Sequence, residues 1–259
     1  MRILISNDDG IYAEGIWALA RELSMMSEVI IVAPDREQRA VGWVFSLRKP
    51  LRVQQIVPLI NDIPAYSVEG TPSDSVIVGL GKIATGKVDL VISGINRGTN
   101  LGDDVLISGT VGAALAAYLR GFPAISISCI HDRWRVPYLQ EVAHFTALLA
   151  KRLEAAQLKV TTLLNVNFPD LETAAIKGVK ICGLAHRSHV NSVEEGHDGK
   201  GAYYLLSEEL SKQVDKKSDI GAALEGYITI TPLNLFLNDR VARSKLEKIT
   251  EGLLEEFRK

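Results

Sequence analysis

The apolar positions of this chain fall in short compact runs, separated by polar turns and by stretches with helical spacing. Arg2-Ile3-Leu4-Ile5-Ser6 predicts a buried strand, and Ile16, Leu19, Ala20 and Leu23 then predict a helix over 15–24. Glu28-Val29-Ile30-Ile31-Val32-Ala33 is a second strand, closed by Pro34. Extended structure is expected over 46–57 and a strand over 65–68. Thr71, Pro72 and Asp74 form a helix start: a cap, a proline at the first position and an acid at the positive end. That helix is expected to reach about Ala84, with Val76, Leu80 and Ile83 facing inward, and to stop at Gly86. Strands follow over 88–93 and 124–128, with an alanine-rich helix over 111–119 between them that ends at Gly121. Further on come a helix over 137–155, strands over 163–168, 179–183 and 226–231, and a terminal helix over 239–257. Strands alternating with helices predict an open α/β sheet, whose ligands bind at the carboxyl ends of the strands.

Chemistry collects at those ends. The first strand runs into Asn7-Asp8-Asp9-Gly10, where two adjacent carboxylates repel each other and a hard divalent cation would offset the repulsion. The bland reading is an ordinary Asp-Asp-Gly turn. The loop after the strand at 88–93 carries Asn96, Arg97, Gly98, Asn100 and Gly102; Asn96 offers a neutral oxygen to a cation, or serves a plain Gly/Asn turn. Ser108-Gly109-Thr110 opens the next helix. Free N–H groups, the helix dipole and two hydroxyls suit an anion there, while simple N-capping is the commoner use. His186, His189 and His197 match no metal-ligand spacing and are expected to hold no transition metal. Residues 186–219 break the α/β pattern and read as a projecting hairpin and loop with one extended run, 202–206.

Composition narrows the class. With 259 residues, 47% apolar and 23% charged, the chain suits one large α/β domain, 1–259, and shows no linker, repeat or low-complexity tract. A net charge of -2 gives no reason to expect a nucleic acid polymer or an anionic membrane as partner. Cys129 and Cys182 make neither a disulfide framework nor a zinc spacing, which fits a reducing cytoplasm. Asp8 and Asp9 come too early for a signal peptide, and no apolar run is long enough to span a bilayer.

Several stretches together resemble the SurE, or survival protein E, family of nucleoside monophosphate phosphatases. They are Ser6-Asn7-Asp8-Asp9-Gly10, Gly70-Thr71-Pro72-Ser73-Asp74, Ser93-Gly94-Ile95-Asn96-Arg97-Gly98 running on to Asp104, and Ser108-Gly109-Thr110-Val111. Ala33-Pro34-Asp35-Arg36 and the run from Glu225 to Pro232 agree as well. The ordered set is specific although each member alone is weak. The resemblance implies a Rossmann-like three-layer sandwich with a mostly parallel sheet. It also implies a homodimer or homotetramer built by the hairpin and by an exchanged C-terminal arm, 232–259. It implies one divalent cation per subunit, Mg²⁺ or Mn²⁺, held by Asp8, Asp9 and Asn96, which are also the expected catalytic residues. Asn7, Asn96, Ser108, Gly109 and Thr110 form the expected substrate-binding set. The implied reaction is hydrolysis of nucleoside 5′- and 3′-monophosphates, with short polyphosphate as a further substrate.

One position departs from the family pattern. The family's fourth metal ligand is a serine in the loop after the second strand, and Arg39 stands there; the neighbouring His-Ser pair is Trp43-Val44. A guanidinium has no lone pair to give a cation. Arg39 is therefore expected to point away from the metal or to reach a phosphate. It motivates the rival reading, a non-catalytic nucleotide or phosphate binder of the same fold. Trp43 could stack on a base or simply pack.

Overall fold

Strands rich in isoleucine and valine on both faces must be covered by helices on both sides, and the chain folds accordingly. The computed structural model describes residues 1–60, 62–130, 136–156, 162–186, 190–208 and 215–235. The strands are β1 (Arg2–Ser6), β2 (Glu28–Pro34), β3 (Val53–Gln55), β4 (Ala65–Val68), β5 (Leu90–Arg97), β6 (Ala124–Cys129), β7 (Leu163–Phe168), β8 (Val179–Ile181), β9 (Val190–His197), β10 (Ala202–Glu208) and β11 (Ile228–Leu233). The helices are α1 (Glu14–Ser24), α2 (Pro72–Val78), α3 (Gly109–Tyr118), α4 (Val136–Ala155) and α5 (Asp219–Leu224). One nine-stranded sheet runs β3-β4-β2-β1-β5-β6-β7-β11-β8, and β9 and β10 form a separate antiparallel pair. From β4 to β7 every neighbouring pair is parallel; β3 and β11 run against their neighbours β4 and β7. Helices α1 and α4 cover the face that carries Ile3, Ile5, Ile92 and Ile125, while α2 and α3 cover Leu4, Val32, Val91 and Ala124. The fold is a Rossmann-like α/β sandwich.

The strand order places the site. The chain leaves β1 for β2 and β4 on one side, then returns to β5 on the other. The crevice at the carboxyl ends of β1 and β5 is thus a topological switch point, where open α/β sheets bind ligands.

The structure differs from the sequence reading where long-range packing acts. Of the stretch 46–57, only 53–55 is a strand. The helix expected to reach Ala84 is α-helical only to Val78 and continues as one π-helical turn, Gly79–Ile83. There the backbone of Gly79 lies so close to β1 that an added Cβ would sit 2.7 Å from a Leu4 methyl. Strand β5 does not stop at Ser93 but continues through Asn96 to Arg97. The hairpin expected within 186–219 is the antiparallel pair of β9 and β10, and the short helix α5 opens at the end of that stretch without a counterpart in the sequence reading. His189 and the expected terminal helix lie outside the described residues.

Candidate active site

Strand β1 delivers Asp8 and Asp9 to the crevice through a turn that Asn7 closes. The Asn7 amide nitrogen donates to the Gly10 carbonyl (2.9 Å), and the Gly10 N–H donates back to Asn7 Oδ1 (3.2 Å). Both ends of the buried Asn7 amide are thus committed to the turn. The Gln38 N–H donates to the Asp8 carbonyl (2.7 Å), which joins this turn to the loop after β2.

Asp8 is buried against the start of α3. Thr110 Oγ1 donates to Asp8 Oδ1 at 2.5 Å. The contact is close because Gly109 has no side chain: a Cβ there would lie 2.8 Å from Asp8 Cβ and 3.0 Å from the Gln38 carbonyl oxygen. Burial pushes the Asp8 carboxyl up to about 7, and neighbouring Asp9 adds to the rise; the Thr110 hydrogen bond opposes it. Burial also raises Asp9, opposed by the Arg97 N–H that donates to its Oδ2 (3.3 Å) and by Arg39. Two carboxylates that share a buried crevice and both resist ionisation need positive charge.

The third candidate oxygen, that of Asn96, lies on β5. The strand carries an extra residue between Ser93 and Asn96 relative to β6, pairing Ser93 with Ser126 and Asn96 with Ser128. Such a bulge re-aims the residues beyond it. Gly94 makes it possible: its φ is +139°, and an added Cβ would sit 2.4 Å from the Ile127 carbonyl oxygen. The Asn96 amide nitrogen donates to the Gly98 carbonyl (2.7 Å), and among the described residues no donor is bonded to its Oδ1. Two carboxylates and one amide oxygen are hard donors of the kind Mg²⁺ and Mn²⁺ prefer, so the residues present fit such an ion. Among the described residues no three His, Cys, Asp or Glu side chains gather to offer a softer site. His186 lies 4.0 Å from Asp103 and His197 lies 3.4 Å from Glu195.

Ser108 caps α3, its hydroxyl oxygen accepting from the Val111 N–H (3.2 Å). The first intrahelical bond is Gly112 N–H to the Ser108 carbonyl (2.9 Å), so the N–H groups of Gly109 and Thr110 precede the helical ladder. The capping expectation holds for Ser108, and the backbone N–H groups of Gly109 and Thr110 lie at the helix end that favours negative charge. Thr110 gives its proton to Asp8.

Arg39 does not point away from the acids. Its guanidinium pairs with Glu37 through Nε, while Nη2 stays 3.9 Å from Asp9 Oδ1.

Sequence reasoning missed the polar scaffold behind the site. Ser6, Ser93, Ser126, Asn165 and Thr231 pair in one register row across β1, β5, β6, β7 and β11. All are buried, on the α3 side of the sheet where Leu4, Val91, Ala124 and Leu163 pack two residues earlier. Asn100 ties the loop after β5 to this layer: its N–H donates to Asn167 Oδ1 (2.8 Å) and its Nδ2 to Ser128 (2.8 Å). Its carbonyl accepts from Asn165 (2.7 Å) and Asn167 (3.0 Å). Asp219, fully buried at the start of α5, holds the Gly102 N–H (2.8 Å) and the Ala185 N–H (2.9 Å). The signal was available: polar residues at alternate positions near the ends of otherwise apolar strands, as in Ser126-Ile127-Ser128 and Asn165-Val166-Asn167.

Residues 3–191 match the family model for survival protein SurE. A protein of Dehalococcoides mccartyi named 5′-nucleotidase SurE is 50% identical over 255 residues, covering 98% of this chain and 96% of its own. One of Natranaerobius thermophilus with the same name is 40% identical, covering 92% and 95%. The crystal structure of the SurE protein from Aquifex aeolicus superposes with a TM-score of 0.83 at 32% identity, covering 96% of this chain and 99% of that one. Fold, motif order and near-complete coverage agree, and the chain belongs to the survival protein SurE family.

Proposed function

We propose that this protein is a divalent-metal-dependent 5′-nucleotidase that hydrolyses nucleoside monophosphates to nucleoside and inorganic phosphate. The relatives it matches over nearly their whole length carry that enzyme name, and nothing in the comparisons favours a non-catalytic binder. The observation that carries the reading is the contact of Asp8 with Thr110 and Gly109. It sets an acidic pair, with Asp8 buried, directly beside a helix N-terminus, which supports a cation seat and an anion seat on one wall.

In this reading Asp8, Asp9 and Asn96 hold one Mg²⁺ or Mn²⁺ per subunit. When bound, the ion polarises a phosphoryl oxygen and makes water a better nucleophile. The N–H groups of Gly109 and Thr110, with the Ser108 hydroxyl proton, hold the other phosphate oxygens in place. Thr110 favours the ionised form of Asp8 and fixes its rotamer. Asp9, free of any side-chain hydrogen bond as short as that of Asp8, orients the water in line with the ribose oxygen. Asn7 keeps both acids on a rigid turn. Attack of the water oxygen on phosphorus breaks the P–O bond to the ribose, and the proton that the water loses ends on the ribose oxygen as the nucleoside leaves.

Hydrolysis of 3′-monophosphates and short polyphosphate belongs to the same proposal, since the seat grips the phosphoryl group. So do a cytoplasmic location and assembly as a homodimer or homotetramer. The β9–β10 pair supports assembly, because Val193, Tyr204 and Leu205 are exposed on it. No described helix is long and apolar enough to cross a membrane.

Phosphate release from AMP with Mn²⁺, stopped by a chelator and absent in Asp9→Asn, tests the reading. Failure of the wild type to release phosphate from any nucleoside monophosphate with either ion would overturn it.

A further inference from the structure

The loop after β2 leaves the acids and ends in an exposed aromatic side chain that the reaction above does not use. Its backbone is clamped. The Gly42 N–H donates to the Ile107 carbonyl (2.8 Å), and Gly42 and Trp43 lie against α3 so closely that a Cβ on Gly112 would sit 2.2 Å from the Gly42 oxygen and 3.1 Å from the Trp43 nitrogen. On the other side, Thr71 Oγ1 donates to the Val44 carbonyl (2.7 Å), and the Ser46 N–H donates to Asp74 Oδ1 (3.0 Å). Both acceptor and donor belong to the capping box that opens α2. Trp43 is therefore carried by a segment braced between two helix starts. Its ring meets Phe45 edge-on, with centroids 5.1 Å apart and planes at 80°, and the residue is 44% exposed. Around it Val44, Leu106 and Ile107 are exposed to 52%, 70% and 43%.

This apolar patch is continuous with the candidate site. Ile107 directly precedes Ser108. Gly109 faces Asp8 and Gln38, and Gly112, three residues or about 4.5 Å further along α3, faces the backbone of Gly42 and Trp43. The same helix face thus carries, within three residues, the phosphate end and the backbone of the segment that bears Trp43. An indole held rigidly on a braced loop loses little entropy when a flat ring stacks on it.

We infer that Trp43, flanked by Val44, Leu106 and Ile107, is the platform on which this enzyme stacks the nucleobase of its substrate. Apolar neighbours read the face of the ring and not its hydrogen-bonding edge, so AMP and GMP are accepted alike and purines are favoured over the smaller pyrimidines. The inference rests on the nucleotidase reading. The other occupant such a patch could have, a second copy of the chain, is an outcome of the test.

The test compares AMP with ribose 5-phosphate, which has the same phosphate and sugar but no base, in wild type, Trp43→Ala and Trp43→Phe with saturating Mn²⁺. The ratio of kcat/KM for AMP to that for ribose 5-phosphate should fall by about 5- to 160-fold in Trp43→Ala, the range that loss of one base-aromatic stack produces, and recover largely in Trp43→Phe. AMP should quench tryptophan fluorescence in wild type and not in Trp43→Phe. An unchanged ratio overturns the inference. So does an equal loss on both substrates with a smaller mass by light scattering, which would make the patch a subunit interface. A wild type that turns over neither substrate sinks the nucleotidase reading instead, and the fluorescence titration with AMP then still decides whether Trp43 meets a base.

Discussion

The Thr110 hydroxyl donates to Asp8 Oδ1 at 2.5 Å, across 102 positions of sequence. The threonine that opens α3 thus acts through the acid that ends β1, and it is a positioning residue first.

Replacing Thr110 by the isosteric valine removes that hydrogen bond while the shape is kept. The bond favours the charged carboxylate, so its loss raises the Asp8 pKa further. A hydrogen bond to a charged group contributes about 1.5–3 kcal/mol. Mn²⁺ affinity at neutral pH should therefore weaken on the order of tenfold or more, and the gap should narrow at pH 9, where the proton no longer competes. Titration of Mn²⁺ followed by EPR at both pH values reads this directly; equal affinities would leave Thr110 a helix residue only.

The acids also set a pH dependence. Below about pH 4 Asp8 is protonated folded and unfolded and contributes nothing. Between its ordinary value of 3.8 and its folded value of about 7 the folded chain binds the extra proton, so metal-free stability falls as pH rises through that window and levels off above it. A divalent cation removes the cause. The rise in Tm on adding Mn²⁺ should accordingly grow from pH 5 to pH 8. A metal-induced shift independent of pH would contradict the placement of the ion on Asp8.

Asp9→Asn separates stability from function. It removes the like charge that helps hold Asp8 up, so the metal-free variant should melt above wild type at pH 8. The same variant should lose the Mn²⁺-induced shift and the phosphatase activity. Paired melts with and without Mn²⁺ give both numbers, and a metal-free midpoint below that of wild type would show that Asp9 stabilises the fold in some other way.

Arg39 stands 3.9 Å from Asp9 and is bonded to Glu37. As a fixed positive charge beside the cation seat it competes with the metal, so Arg39→Ser should tighten Mn²⁺ binding. If the guanidinium instead swings onto the substrate phosphate, the same change raises KM for AMP by removal of a charge-assisted contact. Titrating metal at saturating AMP, and AMP at saturating metal, tells the two apart; no change in either would place Arg39 outside the site.

Gly112→Ala is the steric counterpart. Its Cβ would meet the Gly42 oxygen at 2.2 Å, and neither backbone can yield cheaply. Overpacking of this kind typically costs about 1–3 kcal/mol. Chemical denaturation should show that loss, accompanied by a weaker response of Trp43 fluorescence to AMP. A variant as stable as wild type would mean that the loop after β2 is not braced on α3.

Much of this was legible because it is local. Residues 2–6 form a strand whatever surrounds them, since a compact apolar run followed at once by a polar turn has few alternatives. Thr71, Pro72, Asp74 and Ser108 mark helix starts because a cap acts within three residues of itself. The adjacent charges of Asp8 and Asp9 repel in any fold, and that repulsion alone pointed to a cation. The family motifs then ordered the rest of the site along the chain.

What the chain could not reveal locally is what depends on residues brought together by the sheet. Strand β5 runs on through Asn96 because the Gly94 backbone presses against Ile127 on β6, a contact invisible in the Ser-Gly-Ile-Asn run itself. Alternating polar residues on separate strands became one buried row only when the register aligned them. Thr110 looked like a donor for phosphate until the switch point set it against Asp8, and Arg39 looked excluded from the acids until Glu37 drew it beside them. Local sequence determined the elements and the chemistry available at their ends. Tertiary structure alone decided which of those groups touch, because hydrogen bonds and charge pairs act over a few ångströms in space and are indifferent to separation along the chain.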